Sequence, residues 1–345
     1  MVQEILALEK KIVPELVELL EKRYNILRTI YYNQPIGRRV LATELSLGER
    51  IVRTEINFLK EQNLIEINTP GMTVTEEGVQ VVEELKDFVR EIKGLSDIEE
   101  YIKNALGLKG VIVVPGDVES NPYVLKDLGK AASSYVKEII KDDSIIAITG
   151  GSTVKEVVEE FPKIHSVSNV LVIPARGGMG RKMESQANTL AAKLAEKING
   201  SYKLLHIPEN VSQEVLDGLL KEKQIKDVIQ CIHKADILIY GIGNAIHMAG
   251  KRGVSEEDIK KLQELGAVGE AYGCYFDKNS KVVSDNATIG ININDAKKIS
   301  THIAVAAGKN KVEAIIATEM HNSNAVLITD EAAATKIIEI MKNHN

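Results

Sequence analysis

Three short polar segments follow apolar runs and carry side chains of the kinds that commonly bind phosphate. Gly150-Gly151-Ser152-Thr153 follows SIIAIT, Arg176 follows NVLVIPA, and Lys309 and Lys311 follow HIAVAAG. Glycines let the backbone approach an anion, hydroxyls donate hydrogen bonds, and a helix N-terminus favours negative charge. Arginine and lysine side chains neutralise phosphate oxygens. Together these groups predict a site for one or two phosphates.

Each segment also has a purely structural interpretation. The glycine segment taken alone is equally typical of a strand-to-helix turn. Arg176 and Lys311, taken singly, are more often surface charges than ligands. Their common position, after apolar runs that read as parallel strands, favours the shared site.

Familiar catalytic and nucleotide-binding motifs are not matched. The Gly150 segment lacks GxxxxGK[ST], and GIGNAIHMAG has Ile246 where the dinucleotide fingerprint needs its third glycine. The histidines never pair at metal-ligand spacing, and His247 alone is weak evidence for a pocket residue. No carboxylate pair and no nucleophile with an adjacent base stands out. We therefore predict a binding protein rather than an enzyme, with no cofactor and no metal.

The elements that would position these residues form a regular series. From residue 108 onward, apolar runs of four to six residues alternate with helical stretches, as in GVIVVP, SIIAITG, NVLVIP, ADILIYGIG and AVLITD. Continuous β-branched runs between helices are typical of a parallel sheet covered on both faces. The prediction is a doubly wound, Rossmann-like α/β domain with its ligand at the carboxyl ends of the strands.

A second candidate site is a basic segment near the N-terminus. Residues 22–60 hold eight Lys or Arg and three Glu, a net charge of +5 in a chain whose formal net charge is -6. Val40, Leu41 and Leu45 predict a short helix, Ser46-Leu47-Gly48 predicts a turn, and an apolar stripe predicts a second helix. Two short helices joined by a glycine-containing turn are typical of a helix-turn-helix.

The second helix presents a polar face suited to reading DNA bases. The stripe comprises Val52, Ile56 and Leu59, whereas the side chains that read base edges in the major groove fall on another face. These predicted base-reading residues are Arg50, Arg53, Thr54 and Asn57. Arg28, Arg38, Arg39 and Lys60 are predicted to contact DNA phosphates.

The residues that follow predict a wing. Residues 64–67 alternate like a strand, Thr69-Pro70-Gly71 is a turn signal, and Met72-Thr73-Val74 forms the returning strand. The alternative is a small helical domain whose charges only solvate its surface. The turn, the stripe and the wing together favour a winged helix-turn-helix.

Length and composition bound the remaining possibilities. At 345 residues the chain is long enough for two domains, which we place at 1–93 and 94–345. The first would include an N-terminal amphipathic helix interrupted at Pro14 and a linker helix over 75–92, capped by Thr75. No apolar run is long enough to span a membrane, and no signal peptide is recognised. Two isolated cysteines, Cys231 and Cys274, fit a reducing cytoplasm.

Composition also argues against other modes of nucleic-acid binding. The absence of tryptophan and an aromatic content of 4% argue against single-strand binding by stacking. A pI near 5.8 argues against binding over the whole surface.

Along nearly its full length, the chain resembles the sorbitol-operon-type (SorC) transcriptional regulators. The resemblance rests on the winged helix-turn-helix followed by GGST, PARGG, QANTLAAKLAEKI, ADILIYGIG and GKNKVEAI. The N-terminal stretch IVPELVELLEKRYNILRTI is similar to a subgroup that represses the operon of the lower glycolytic enzymes, including glyceraldehyde-3-phosphate dehydrogenase. The resemblance implies a C-terminal domain similar to sugar-phosphate isomerases and deaminases, which binds its ligand without converting it. The implied effector is fructose-1,6-bisphosphate, with related sugar phosphates as weaker ligands.

The same resemblance assigns roles to individual residues. Gly151, Ser152 and Thr153, next to Gly150, would hold one phosphate, and Arg176 and Lys311 would neutralise phosphate charge. Gln186 and Glu270 would reach sugar hydroxyls. Ser152 stands where the subgroup commonly has threonine, so that a hydroxyl is kept. The choice between Lys309 and Lys311 stays open, although the motif GxxKxxAI favours Lys311.

These observations predict a homo-oligomeric repressor, a dimer or tetramer, whose operator affinity is controlled by a sugar phosphate. One winged domain offers little surface for a specific operator, hence the expected oligomer. One alternative is a sugar-phosphate isomerase or deaminase with a fused DNA-binding head. Another is a sensor whose N-terminal module contacts protein instead of DNA.

Overall fold

The chain divides between Asp97 and Ile98 into two compact units. The structure is a computed structural model that describes residues 12–45, 47–177, 182–207, 213–285 and 290–343. The turn at residues 93–94, where the sequence placed a domain boundary, lies shortly before this division. Ser46 of the predicted turn and the start of the predicted N-terminal helix lie outside the described residues. No helix in the described part has the length and apolar character needed to cross a bilayer.

The first unit combines helices with a two-stranded hairpin. Its elements are α1 (Pro14–Asn33), α2 (Arg38–Glu44), α3 (Glu49–Glu61), β1 (Ile65–Asn68), β2 (Gly71–Val74) and α4 (Glu76–Ile92). The predicted stripe of Val52, Ile56 and Leu59 is buried, with each side chain at most 2% exposed. Burial of this stripe against α1, α2 and the hairpin forms the small core of the unit.

The predicted wing is confirmed with a shift of one residue. β1 pairs antiparallel with β2, and Asn68 stands opposite Gly71, so that the connecting residues are Thr69 and Pro70. Proline fixes the backbone of such a short connection and cannot continue the ladder as a donor. The predicted cap is also present, because the Thr75 hydroxyl oxygen accepts the Gly78 N–H at 3.0 Å and starts α4.

The second unit is built on a ten-stranded sheet, preceded by α5 (Leu95–Leu106), which contains the division between the units. Its strands are β3 (Gly110–Val114), β4 (Ile145–Ile148), β5 (Leu171–Pro174), β6 (Ser201–Tyr202), β7 (Ile237–Asn244), β8 (Ala267–Ala271), β9 (Cys274–Asp277), β10 (Val282–Asp285), β11 (Thr301–Val305) and β12 (Ala325–Asp330). Its further helices are α6 (Val124–Ile139), α7 (Ser152–Glu159), α8 (Ala187–Lys197), α9 (Gln213–Leu219), α10 (Lys223–Ile232), α11 (Ala245–Lys251), α12 (Glu256–Glu264), α13 (Ile293–Ala296), α14 (Val312–Glu319) and α15 (Glu331–Asn343). Short 3₁₀ turns cover Met183–Ser185 and Lys309–Lys311.

The parallel part of the sheet has the strand order β6–β5–β4–β7–β11–β12–β3. The end of β7, from Ile242 to Asn244, continues into an antiparallel extension formed with β8, β9 and β10. β7 therefore belongs to both parts of the sheet.

Helices cover both faces of the parallel sheet, which confirms the predicted α/β class. Every residue of β11 and β12 is buried, although successive side chains point to opposite faces. On one face, alternate strand residues such as Ile146, Ile239 and Ile303 form a cluster with apolar residues of α6, α7 and α8. The other face is covered by α10, α14 and α15. These helices contact the same sheet but contribute no residue to that cluster.

Candidate functional site

The three predicted phosphate-binding segments lie at one edge of the parallel sheet. They follow β4, β5 and β11, and β5, β4, β7 and β11 are neighbours in that order. Parallel neighbours lie about 4.8 Å apart, and their carboxyl ends share an edge. The segments therefore come together although up to about 160 residues separate them along the chain.

The glycine segment leads directly into α7. Gly151 has φ +127° and caps the helix, and its N–H donates to the Ser185 carbonyl oxygen at 2.9 Å. A side chain at Gly150 would stand 2.7 Å from that same oxygen, so the two backbones can approach only because residue 150 is glycine. Ser152 is exposed and Thr153 is buried. The first N–H groups of α7, which have no partner within the helix, begin at this segment.

Gln186 lies beside the glycine segment. It caps α8, directly after the 3₁₀ turn whose last residue, Ser185, accepts the Gly151 hydrogen bond. Its side chain is partly buried. The Gly151–Ser185 contact brings the start of α7 close to the start of α8.

Glu270 stands at the centre of a buried charged cluster. Its Oε1 accepts hydrogen bonds from Arg252 Nη2 at 2.8 Å and from the Gly273 N–H at 2.7 Å, and it lies 3.8 Å from Arg176 Nη1. The carboxylate is buried on β8, and two guanidinium groups share it. One carboxylate facing two cations leaves the cluster with excess positive charge, which suits an anionic ligand.

The charges in this cluster affect each other's pKa. Burial and the neighbouring Arg252 lower the pKa of Arg176. Burial also opposes the charge on Arg252, but Glu270 outweighs it and raises the pKa of Arg252. Both guanidinium groups stay charged at neutral pH, because arginine is effectively always protonated in proteins.

Arg252 was not predicted. It follows α11 rather than a strand, so the rule of strand ends did not select it. The sequence feature that could have identified Arg252 is the pair Lys251-Arg252, at the end of the helix that follows the GIGN segment. His247, on the same helix, is exposed and its N–H donates to the Asn244 side chain, which caps α11.

Two glycines enclose Arg176. A Cβ at Gly273 would overlap the Arg176 guanidinium, and a Cβ at Gly290 would stand 2.6 Å from the Arg176 Cα. Gly273 has φ +93°, a conformation that favours glycine. Residue 176 also pairs with Gly290 in an isolated antiparallel bridge.

A cleft of about 330 Å³ opens beside Arg176. Of the residues predicted for the site, Arg176 lines this cleft, with Tyr272, Gly273, Asn292 and Asn294 among its neighbours. The volume falls at the lower end of the range for small-molecule sites. The glycine segment and Lys311 lie outside this cleft, farther along the same sheet edge.

The two lysines after β11 have different surroundings. Lys309 Nζ forms an ion pair with Asp117 Oδ2 at 3.0 Å, and its side chain is 55% exposed. Lys311 is partly buried, and among the described residues no carboxylate lies within ion-pair distance of it. Burial and the charge of Lys251 lower the pKa of Lys311, against the opposing effect of Asp330. The surroundings therefore favour Lys311 over Lys309 as an anion ligand.

Asp330 holds this edge of the sheet in place. The carboxylate is fully buried, and its two oxygens accept the Gly308 N–H at 3.0 Å and the Val118 N–H at 2.9 Å. A buried carboxylate with such donors is satisfied by the backbone. It thereby joins the loops after β3 and β11 and fixes the position of Lys311.

The predicted DNA-contacting residues of α2 and α3 are all exposed in the first unit. They are Arg38, Arg39, Arg50, Arg53, Thr54, Asn57 and Lys60. Arg39 Nε lies 3.8 Å from Glu49 Oε1, which links the first turns of α2 and α3. The Thr54 hydroxyl donates to the Arg50 carbonyl oxygen at 3.1 Å, which leaves its oxygen as a possible acceptor for DNA.

The prediction for Arg28 was wrong. Arg28 lies in the middle of α1 and is 4% exposed, with its guanidinium 5.7 Å from the centre of the Tyr24 ring. The net charge of a segment does not distinguish surface from core, and a helix that packs into a core buries part of its circumference.

Two further charges of the basic segment are held by an internal acid. Lys22 Nζ and Arg23 Nε lie 2.7 and 2.8 Å from the buried carboxylate of Glu55 on α3. Burial raises the pKa of Glu55, but hydrogen bonds from Lys22 and Arg23 and their positive charges lower it by more. The net shift of the pKa is therefore downward. These contacts join α1 to α3 and orient the helix that carries the predicted base-reading face.

Known proteins match both units. The Sugar-bind family model, which describes a sugar-binding domain, matches residues 90–339, and the CggR N-terminal DNA binding domain matches residues 19–89. The central glycolytic genes regulator of Bacillus subtilis is 40% identical over 335 residues, 97% of this chain and 98% of that protein. The regulator of the same name from Priestia megaterium is also 40% identical, over 97% of this chain and 98% of that protein.

A solved structure extends the likeness in fold to most of the chain. The full-length sorbitol operon regulator SorC from Klebsiella pneumoniae has a TM-score of 0.65 at 19% identity, covering 90% of this chain and 96% of that one. A DNA-binding unit followed by a sugar-binding α/β unit defines a sugar-responsive transcriptional regulator. A second solved structure, of a SorC family transcriptional regulator from Enterococcus faecalis, is 35% identical, with a TM-score of 0.66 over 70% of this chain and 99% of that one. The chain belongs to the SorC family of bacterial transcriptional regulators, in the group of the central glycolytic genes regulators. The alternative of an isomerase or deaminase with a fused head is not supported, because the relatives at 40% identity are transcriptional regulators and the N-terminal unit matches a DNA-binding domain.

Proposed function

We propose that the chain represses the glycolytic operon that includes glyceraldehyde-3-phosphate dehydrogenase, and that fructose-1,6-bisphosphate or a related phosphorylated sugar releases it from DNA. The 40% identity to central glycolytic genes regulators over nearly the whole chain supports the choice of operon. The match to a sugar-binding domain supports a sugar as the effector.

The environment of Lys311 is the observation that best supports a phosphate as part of the ligand. Its ammonium is partly buried, burial lowers its pKa, and no carboxylate of the described residues pairs with it. A charge that has lost part of its water needs a partner, and a phosphate would supply one. The N–H groups that start α7 and the hydroxyls of Ser152 and Thr153 would complete this subsite.

A second phosphate would bind at the pair of arginines. Arg176 and Arg252 share the one carboxylate of Glu270, and planar guanidinium groups bind phosphate oxygens in pairs. Glu270, inside the arginine subsite, would accept hydrogen bonds from sugar hydroxyls, and Gln186, beside the glycine segment, would accept or donate them. Gly150 and Gly151 would let the ligand approach the backbone. A bisphosphate fits two cationic subsites on one sheet edge better than a monophosphate does.

The effector would act by changing the association of protomers in a cytoplasmic homo-oligomer, and hence the spacing of the winged helix-turn-helix units. A ligand shifts such an equilibrium only by its difference in affinity between the two states. A useful switch needs a coupling free energy of about 1–3 kcal/mol, which is a 5- to 150-fold change in operator affinity.

The test is fluorescence anisotropy with labelled DNA from the region upstream of the glycolytic operon, titrated with fructose-1,6-bisphosphate at fixed salt. We expect tight binding that weakens as the sugar is added. Arg176→Ala should bind DNA normally and lose the response. Tight binding that ignores sugar phosphates would remove the proposed effector, and a full response in Arg176→Ala would remove the proposed site.

The DNA-binding face is tested separately by Arg53→Ala with Asn57→Ala. We expect this variant to lose operator affinity while it still binds fructose-1,6-bisphosphate in a calorimeter. Both side chains are exposed, so the change should leave folding intact. Unchanged operator affinity would rule out α3 as the base-reading helix and favour a module that contacts protein.

A further inference from the structure

Ile51 is an exposed apolar residue among the charged residues of α3. Its side chain is 46% exposed, although the core face of this helix is complete without it. Arg50 precedes it, and Arg53 and Thr54 follow within one turn. Residues three apart on a helix are neighbours, so Ile51 stands beside Thr54, a predicted base-reading residue.

The fold itself gives no reason for isoleucine at this position. A β-branched residue is a poorer helix former than alanine, lysine or glutamate, because its side chain loses rotamer freedom. Exposed apolar residues do occur singly on protein surfaces. Ile51, however, lies in the first turn of the second helix of a helix-turn-helix, where the residues enter the major groove.

The surroundings of Ile51 define the kind of partner. Arg38, Arg39, Arg50 and Arg53 are exposed on α2 and α3, and Glu49, an exposed acid in the first turn of α3, lies 3.8 Å from Arg39. An apolar side chain inside a cationic surface fits a polyanion that also presents an apolar group. In the major groove, the C5-methyl group of thymine is that group.

We propose that Ile51 reads thymine in the operator by van der Waals contact with its C5-methyl group. This inference rests on the proposed function, because it requires the first unit to bind a specific duplex. It assigns Ile51 an apolar contribution to specificity, beside the hydrogen-bonding contributions of Arg50, Arg53, Thr54 and Asn57.

The test replaces single thymines of the operator by deoxyuridine, which removes only the methyl group. The full chain and Ile51→Ala are titrated against each duplex by anisotropy at fixed salt. For the unchanged chain, at least one substitution should weaken binding about fourfold, the effect of losing one buried methyl group. Ile51→Ala should bind the thymine duplex more weakly and should not distinguish it from the deoxyuridine duplex at that position.

Val40→Ala is the matched control. Val40 is also β-branched and is 53% exposed, but it lies on α2, the helix that crosses the DNA backbone in this motif. This variant should keep the full sensitivity to deoxyuridine. Thermal unfolding of both variants checks that their folds are intact.

Three results would overturn the inference. Deoxyuridine could have no effect at any position, or it could weaken Ile51→Ala as much as the unchanged chain. Alternatively, Ile51→Ala could lose affinity equally for all duplexes together with a loss of self-association, which would make Ile51 part of an interface between copies. Failure of the unchanged chain to bind any operator fragment would instead overturn the proposed function and, with it, the role of Ile51.

Discussion

At the scale of single residues, ion pairing decides which charges are available to a ligand. Lys309 and Lys311 are two positions apart, yet Asp117 pairs with the first and no described carboxylate pairs with the second. A side chain that already has a partner gains less from a phosphate than one that lacks it. The two lysines therefore form a matched pair for experiment.

We expect Lys311→Ala to weaken binding of fructose-1,6-bisphosphate about 10- to 100-fold, the effect of losing a hydrogen bond between charged groups. Lys309→Ala should change the affinity little, because its ion pair with Asp117 is exposed and screened. Isothermal titration calorimetry on the full chain measures both. A larger loss in Lys309→Ala than in Lys311→Ala would reverse the assignment.

A second residue-scale feature is a buried acid away from the phosphate-binding segments. Tyr240 Oη lies 2.8 and 2.9 Å from the two oxygens of Glu319, and Asn322 Nδ2 donates to Glu319 at 3.1 Å. His302 Nδ1 lies 3.1 Å from Asn322 Oδ1 and extends the network to β11. Burial raises the pKa of Glu319 from 4.5 to about 7.

This raised pKa predicts a pH dependence of stability. The folded state holds the Glu319 proton to a higher pH than the unfolded state, so the free energy of unfolding should fall as pH rises from about 4.5 to about 7 and level off above. A shift of this size corresponds to roughly 3 kcal/mol. Urea unfolding across this pH range, compared between the unchanged chain and Glu319→Gln, measures the difference.

The comparison with Glu319→Gln is needed because His302 acts in the opposite direction. Burial lowers the pKa of His302, so its contribution to stability is lost as pH falls. Glu319→Gln keeps the shape of the side chain and cannot titrate. If the variant showed the same fall in stability between these pH values, Glu319 would not be its cause.

At the scale of secondary-structure elements, the turn between β8 and β9 positions Arg176. Gly273, in this turn, donates its N–H to Glu270 and leaves no room for a side chain beside the Arg176 guanidinium. The strand ends supply the functional groups, and the antiparallel extension of the sheet holds one of them in place.

We expect Gly273→Ala to displace Arg176 and abolish the response to fructose-1,6-bisphosphate, while operator binding without effector is retained. Gly266→Ala is the control, because Gly266 also has a positive φ, of +70°, but has open space around it. Both variants carry the backbone cost of about 1–2 kcal/mol for a side chain in this conformation. Anisotropy measures the response, and its equal loss in both variants would show that backbone strain, rather than contact with Arg176, is responsible.

At the scale of the whole molecule, opposite charges are segregated along the chain. The basic residues 22–60 carry a net charge of +5 while the rest of the chain is acidic, which directs DNA to the first unit. The sugar-binding domain occupies residues 90–339, which leaves the two ligands to different parts of the chain. If sugar binding affects DNA binding, the effect can be measured as a coupling free energy between the two binding equilibria.

Coupling of this kind is reciprocal. If fructose-1,6-bisphosphate lowers operator affinity by some factor, saturating operator DNA should lower the affinity for the sugar by the same factor. Calorimetry of the sugar with and without the operator duplex gives one factor, and anisotropy with and without the sugar gives the other. Unequal factors would mean that the sugar acts through a step other than the equilibrium between two binding states.

Much of the molecule follows from patterns that are local in the sequence. The stripe of Val52, Ile56 and Leu59 defines a helix, Thr69 and Pro70 define the wing turn, and β-branched runs define a parallel sheet. These features depend on residues a few positions apart, because the repeats of the helix and the strand are short. The polar segments after β4, β5 and β11 are also predictable as neighbours, because the carboxyl ends of parallel strands lie at one edge of the sheet.

Only the tertiary structure decided which charges meet. Arg252 donates a hydrogen bond to Glu270, and Lys309 pairs with Asp117. Arg28, a residue of α1, is buried. Each of these outcomes depends on contacts between elements, which the order of strands and the packing of helices determine. The sequence alone therefore determined the elements and the edge where the site lies. The tertiary structure decided which cations are free to bind a ligand, because burial and ion pairing arise only when distant segments are packed together.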